Sequence, residues 1–296
     1  MPYVIAYPGT AGSFSHGAAM TAFPEGECVG YDTFPEAAQA VTEGRADYAL
    51  LPVENSFAGA VLPTYTLLEQ LPLHIVGETM KVVRHHLLGL PGAKLEDIRH
   101  IASHPQAIAQ CDAFLQTMKD AQIVPSANTA ISAREVAQLG DKTRAAIASI
   151  EAAKEYGLVP LAENIQTSEH NTTRFFILSL SPIPLDAPGK ATVTFRVSNE
   201  VGALVKVLSS FAESGLNMTR IESRPLPETP FQYFFSADFE GAMDAAHLSR
   251  AMAAARPYTG ALRLLGVYPK ANRNDDNFRL KGNFQPDFYE NFQKCA

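Results

Sequence analysis

The sequence is short of cysteine, of net positive charge and of long apolar runs, and each shortage removes a class of function. Its three cysteines, Cys28, Cys111 and Cys295, are odd in number, scattered and without Cys-x-x-Cys spacing. That argues against a disulfide framework or a structural zinc site and for reduced thiols. A formal net charge of -7 leaves no basic field to neutralise a phosphate backbone, so nucleic acid is not an expected partner. No apolar run approaches the roughly 18 residues of a spanning helix. The opening residues, MPYVIAYPGT, carry no basic n-region, apolar h-region or cleavage site. The chain is therefore expected in the cytoplasm, away from membranes. His85 and His86 are adjacent rather than four apart and have no nearby carboxylate to complete a ligand set, so no metal site is expected. GTAGSFSHG has neither the G-x-G-x-x-G spacing nor the terminal Gly-Lys-Ser/Thr of a P-loop, and no nucleotide cofactor is implied.

What is present is enough for more than one domain. With 296 residues and 46% hydrophobic content, the chain exceeds one ordinary domain of about 150 residues. Over the first 180 residues, strand and helix patterns alternate: YVIAY before a Gly/Ser loop and a helix, TFPEAAQAVTEG then ADYALLPV, LPTYTLLEQL then HIVGETMKVVRHHLLGL, and AAIASIEAAKEYG. Such alternation predicts an α/β fold with largely parallel strands and ligand-binding loops at their carboxyl ends. SPIPLDAPGK, with three prolines and a glycine, reads as a linker over 181–190. Beyond it the pattern becomes βαββαβ over 191–270. ATVTFRV puts Val193, Phe195 and Val197 on one face. GALVKVLSSFAESG brings Leu204, Leu208 and Phe211 together and stops at Gly215, and FQYFFSADFEG aligns Phe231, Tyr233, Phe235 and Phe239. This is a ferredoxin-like α+β plan. The polar, Asn- and Phe-rich 271–296 reads as a tail.

Four clusters in the first 180 residues are dense in hydroxyl, amide and imidazole groups: Ser13 to His16, Glu54-Asn55-Ser56, Ser103 to Gln106, and Asn171 to Arg174. The first and third follow strands and begin helices, where unpaired backbone N–H groups gather and an anion could be held. N-capping accounts for such serines equally well. Arg174 beside threonine hydroxyls suits bidentate capture of a carboxylate, and a surface salt bridge is the alternative. No Gly-x-Ser-x-Gly elbow is present.

In order along the chain, GTAGSFSHGAA, LPVENSFAGAVLPT, HHLL, SHPQAIAQC and NTTRFFIL resemble the successive motifs of the prephenate dehydratases. GALVKVL and IESRP resemble the two effector motifs of the ACT domain attached to them. The resemblance spans about residues 3–268 and departs from the family pattern at Thr10, Thr66 and Leu87. It implies a two-lobed α/β catalytic domain, similar to periplasmic binding proteins, over 1–180. A ferredoxin-like ACT regulatory domain would follow over 191–270. The implied reaction removes water and carbon dioxide from prephenate, a dianion, to give phenylpyruvate in phenylalanine biosynthesis, with no cofactor. Arogenate, the aminated analogue, is the alternative substrate.

On the same resemblance, Thr173 donates a hydrogen bond to the departing hydroxyl and Arg174 pairs with a carboxylate, with Ser13, Glu54, Asn55 and Ser56 beside them. Substrate contacts are implied for Ser15, His16, Thr64, Ser103, His104, Gln106, Asn128, Thr129, Thr172 and Phe175. L-Phenylalanine, as effector, would bind near Gly202, Ala203, Leu204, Glu222, Ser223, Arg224 and Pro225, between subunits of a homodimer or homotetramer. The first dehydratase strand starts at about Tyr3, so no chorismate mutase domain is expected before it, and the enzyme is expected to be monofunctional.

Overall fold

The computed structural model describes residues 2–183, 189–197, 200–226, 229, 232–241 and 244–271. Half of the expected linker (184–188), Phe231 and all but the first residue of the expected tail lie outside the described residues.

The chain starts with β1 (Val4–Pro8), α1 (Phe14–Ala22), β2 (Glu27–Tyr31), α2 (Phe34–Thr42), β3 (Tyr48–Asn55), the two-residue β4 (Gly59–Ala60), α3 (Leu62–Gln70) and β5 (His74–Val82). Local chemistry sets these boundaries. Ser13 caps α1 by accepting from the His16 amide, and Thr33 and Glu36 close a capping box on α2. A second lobe follows with β6 (His86–Gly89), β7 (His100–Ser103), α4 (Pro105–Gln110), α5 (Asp112–Leu115), β8 (Gln122–Pro125), α6 (Thr129–Leu139), β9 (Arg144–Ala148), α7 (Ile150–Tyr156) and β10 (Val159–Ala162). β11 (Thr172–Ser179) then returns to the first lobe. Its sheet runs β2-β1-β3-β11-β5, and that of the second lobe β10-β6-β9-β7-β8.

Both sheets are mixed, which corrects the expectation of largely parallel strands. β1 pairs in parallel with β2 and β3, but the returning β11 enters from the other lobe and lies antiparallel between β3 and β5. In the second lobe β6 is likewise antiparallel to β9 and β10. The lobes touch closely at Gly12, which has φ +78°; a Cβ there would lie 2.8 Å from the Ala152 backbone at the start of α7. Ser149 Oγ donates to the Gly12 carbonyl at 2.7 Å across the same joint.

The rest of the chain forms β12 (Lys190–Val197), α8 (Ala203–Glu213), β13 (Asn217–Pro225), β14 (Tyr233–Glu240), α9 (Ala245–Ala255) and β15 (Thr259–Tyr268). They make an antiparallel sheet ordered β13-β14-β12-β15, the expected βαββαβ plan. Val193, Phe195, Ala237 and Phe239 meet Val207, Phe211, Leu248 and Met252 of the two helices on one face. The opposite face is not solvated. Leu226, Phe234, Leu265 and Tyr268 join the core of the first lobe against Leu73, Ile75, Phe176 and Leu178. β15 lies so close to β5 that a Cβ on Gly266 would fall 1.9 Å from the Ile75 carbonyl oxygen. Arg263 fastens the seam by donating to the carbonyls of Leu68, Leu71 and Leu73. No helix among the described residues is long and apolar enough to cross a membrane.

Candidate active site

Strand ends and helix starts of the two lobes converge on a cleft of about 280 Å³, walled in part by Asn55, His85, His104, Gln106, Gln110, Asn128, Asn171 and Thr173. β3 ends at Asn55 and pairs with β11 so that Asn55 and Thr173 are direct partners. The second lobe supplies α4, capped by His104, and α6, capped by Asn128, whose Oδ1 accepts from the Ile131 amide at 2.7 Å.

A continuous hydrogen-bond chain fixes the polarity of the cleft. Asn55 Oδ1 accepts from the amides of Phe57 and Ala58, which orients its amide group. Its Nδ2 then donates both hydrogens, to Asn171 Oδ1 at 2.7 Å and to Thr173 Oγ1 at 2.9 Å. Asn171 Nδ2 donates onward to Gln110 Oε1 at 2.9 Å. His85 Nε2 lies 2.8 Å from the same oxygen, which can only accept, so the ring nitrogen carries the hydrogen. Two free donors result. Because Thr173 Oγ1 is already an acceptor, its own hydrogen is available to the cleft, and so is the Gln110 amide NH2. His85 Nδ1 is buried without a hydrogen-bond partner among the described residues. Among the described residues, no lysine or arginine lines this cleft.

Burial lowers the pKa of His85, with His86 adding to the effect and the Gln110 hydrogen bond opposing it. A depressed folded pKa means the stability linked to the neutral ring is complete above the ordinary value of about 6.5 and is lost as pH falls through the folded value. His85 is expected to be mostly neutral even at pH 6.5, as the Nε2–H tautomer, which imidazole ¹⁵N NMR reads directly. A ring half charged at that pH would refute the assignment.

The motif residues do not all meet in this cleft. Asn55, His104, Gln106, Asn128, Thr129 and Thr173 do. Ser13 caps α1, and Ser15 is half-buried on that helix. His16 accepts from the Gly12 amide through Nδ1 and stacks on Tyr7. Ser56 Oγ donates to the His170 carbonyl and accepts from the Thr172 amide, stitching β3 to β11. Three substrate contacts implied by the resemblance need correction. Thr64 is fully buried and donates to the Pro52 carbonyl, Ser103 is fully buried and donates to Ile147, and Phe175 packs in the core beneath α1. All three are saturated or enclosed.

The largest correction concerns Arg174. Neighbours on a strand face opposite sides, and here the guanidinium turns from the cleft toward the C-terminal sheet. Its Nη2 is 2.7 Å from Asp238 Oδ2, and Glu78 and Glu54 lie at 3.5 and 3.6 Å. Arg174 is therefore surrounded by carboxylates of the protein and turned away from the cleft, although its Nε is buried without a hydrogen-bond partner among the described residues. Glu54 shares that face. Thr172 lines a separate cavity of about 460 Å³ with Lys81, Arg84 and Glu151. We place the candidate site in the smaller cleft because it gathers six of the site residues the resemblance implies, whereas the larger cavity gathers only Thr172 of them.

Gln110 and His85, which the motifs do not nominate as site residues, complete the cleft. A signal for Gln110 exists: it stands four residues after Gln106 on α4, the spacing that sets two side chains on one helix face. Gly202, with φ +79°, precedes α8, where Ala203 is buried and Leu204 partly so, while Glu222 to Pro225 lie on the edge strand β13.

Comparison with known proteins points to one family. The family model described as prephenate dehydratase matches residues 5–182. A relative from Arabidopsis thaliana, arogenate dehydratase/prephenate dehydratase 1, chloroplastic, is 40% identical over 281 residues, which is 90% of this chain and 71% of that protein. The bifunctional N-acyl-homoserine lactone acylase/prephenate dehydratase of Komagataeibacter europaeus is 39% identical over 269 residues, 90% of this chain and 95% of that protein. Among solved structures, prephenate dehydratase from Arthrobacter aurescens in complex with L-Phe is similar with a TM-score of 0.83 and 31% identity, covering 96% of this chain and 94% of that one.

Proposed function

Since the chain belongs to the prephenate dehydratase family, we propose that the cleft at Thr173 is where water and carbon dioxide are removed from prephenate or from arogenate. The observation that carries this reading is the direction of the hydrogen bond from Asn55 to Thr173 Oγ1, which leaves the threonine hydrogen free to be donated to a substrate in the cleft. As the carboxylate departs as carbon dioxide, its electron pair enters the ring and expels the hydroxyl, which must gain a proton to leave as water. Thr173 donates a hydrogen bond to that oxygen while negative charge builds on it, the condition under which a fixed donor counts most. Gln110, Gln106 and the N-terminal amides of α6 are the neutral donors placed to hold the carboxylates.

The substrate choice is between a keto group and an ammonium on one side chain. Incubating the purified chain with prephenate and with arogenate, and following phenylpyruvate absorbance or phenylalanine release, decides it. Turnover of neither would end the dehydratase reading. The acylase activity in the name of the Komagataeibacter relative needs an activated nucleophile, and the Thr173 hydroxyl is paired with an amide, not an imidazole.

The C-terminal unit, residues 191–270, is read as an ACT domain that binds phenylalanine near Gly202 to Leu204 and Glu222 to Pro225 at a contact between subunits. Val201, Val205, Met218 and Ile221 are exposed around these segments, an apolar surface suited to a second copy in a dimer or tetramer. The solved relative in complex with L-Phe supports the choice of effector. A cytoplasmic location belongs to the same reading. Calorimetry with no phenylalanine binding at millimolar concentration would contradict the effector assignment.

A further inference from the structure

We propose that Arg174 is a positioning residue for Thr173: gripped by Asp238 of the C-terminal sheet, it sets the end of the β3–β11 ladder from which Asn55 and Thr173 face the cleft. The inference rests on the dehydratase reading of that cleft. Thr173–Asn55 and Arg174–Glu54 are consecutive rungs of one ladder, and its register breaks immediately after Arg174. Pairing with β5 runs unbroken from Thr172 to Ile177, but pairing with β3 is interrupted just past these two rungs, so on the Asn55 side their placement depends on side chains as well as backbone. On the cleft face the rung is closed by the Asn55 to Thr173 hydrogen bond. On the other face the Arg174 guanidinium reaches Asp238 at 2.7 Å and stands between Glu54 of β3 and Glu78 of β5.

Asp238 is itself immobilised. It is fully buried, accepts from Arg220 Nε and Nη2 and from Thr192 Oγ1, each at 2.8 Å, and has no further room to adjust. Lys190 of β12 completes the cluster by donating to both oxygens of Glu78. A line of buried contacts thus runs from Arg220 on β13 through Asp238 on β14 to Arg174 on β11. One backbone step beyond Arg174 is Thr173. At the other end, Glu222 follows Arg220 by two residues and opens the segment assigned to the effector. Because the middle of this line has no slack, a shift of β13 reaches the catalytic rung.

The test is a double-mutant cycle of Asp238→Asn and Arg174→Lys in the full chain, with circular dichroism and oligomer size as checks of folding. Each single variant is expected to lose about tenfold in kcat with KM within about twofold, as a small misplacement of a positioned donor does. The double variant is expected to be no worse than the poorer single one, since both act through one contact. Arg263→Lys, on the same seam but bonded to carbonyls at the end of α3 and just beyond it, should keep the kcat of the unmutated chain. A kcat near that of the unmutated chain in either folded single variant, additive losses, or an equal loss in Arg263→Lys would each overturn the proposal. If Asp238→Asn does not fold, Arg174→Lys against Arg263→Lys decides by the same measure. Failure of the dehydratase reading would show separately, as no turnover of prephenate or arogenate by the unmutated chain.

Discussion

Thr173→Ala is expected to lower kcat by about 10²-fold or more, with a much smaller change in KM. The argument is one of bonding capacity. Thr173 Oγ1 accepts from Asn55 Nδ2, and among the described residues its own hydrogen meets no acceptor, so it is free for the departing oxygen. Alanine removes that donor and leaves one Asn55 hydrogen without its acceptor, while the strand and its pairing remain. Ground-state capture of the carboxylates rests on other donors, which is why the loss should fall on turnover. Thr173→Ser keeps the hydroxyl and should recover most of the rate. Steady-state kinetics on folded protein checks both, and an unchanged kcat in Thr173→Ala would remove the residue from the chemistry.

Asp238→Ala is expected to cost about 3–5 kcal/mol of stability, because it strips a carboxylate from two arginines that are themselves buried. Arg174 would keep Glu78, which already serves Lys190, and the more distant Glu54, while Arg220 would keep only neutral Ser236 as a hydrogen-bond partner among the described residues. Burial by itself would raise the pKa of Asp238, but Arg220, Arg174 and Lys190 outweigh it and hold the carboxyl well below the usual range. With the folded pKa depressed, the stabilisation is complete above the ordinary carboxyl value of about 4. It drains away as pH falls from there toward the folded value. Denaturant unfolding at neutral pH measures the loss, and repeating it in acid should show the gap between the unmutated chain and Asp238→Ala closing. A gap under about 1 kcal/mol at neutral pH would contradict the account.

These two expectations also mark how far the sequence could be read. Thr173 and Asn55 were nominated by the resemblance to a family rather than by local pattern, and the sheet makes them partners across β3 and β11. The βαββαβ plan was legible because its apolar residues recur at strand and helix periods within short windows. Arg174 was misread for a non-local reason. A guanidinium beside a threonine looks like an anion site, but alternation along the strand sends the two to opposite faces, and what waits on the second face is Asp238, 64 residues later. The mixed sheet was hidden in the same way, since the direction of β11 depends on a return from the other lobe that no local pattern encodes. Thr64 and Ser103 were over-read because a buried hydroxyl bonded to a carbonyl and one that meets a ligand look alike in sequence.

The contact at Gly266 reaches beyond stability. Where its α-carbon passes the Ile75 carbonyl there is space for a hydrogen atom and nothing larger. The two sheets fit like a key whose blank must be cut at one tooth, so any foreign sensor grafted onto this enzyme would need a bare backbone at that register. Exchange of the C-terminal unit would then be limited at this one position as well as by the apolar surface it buries.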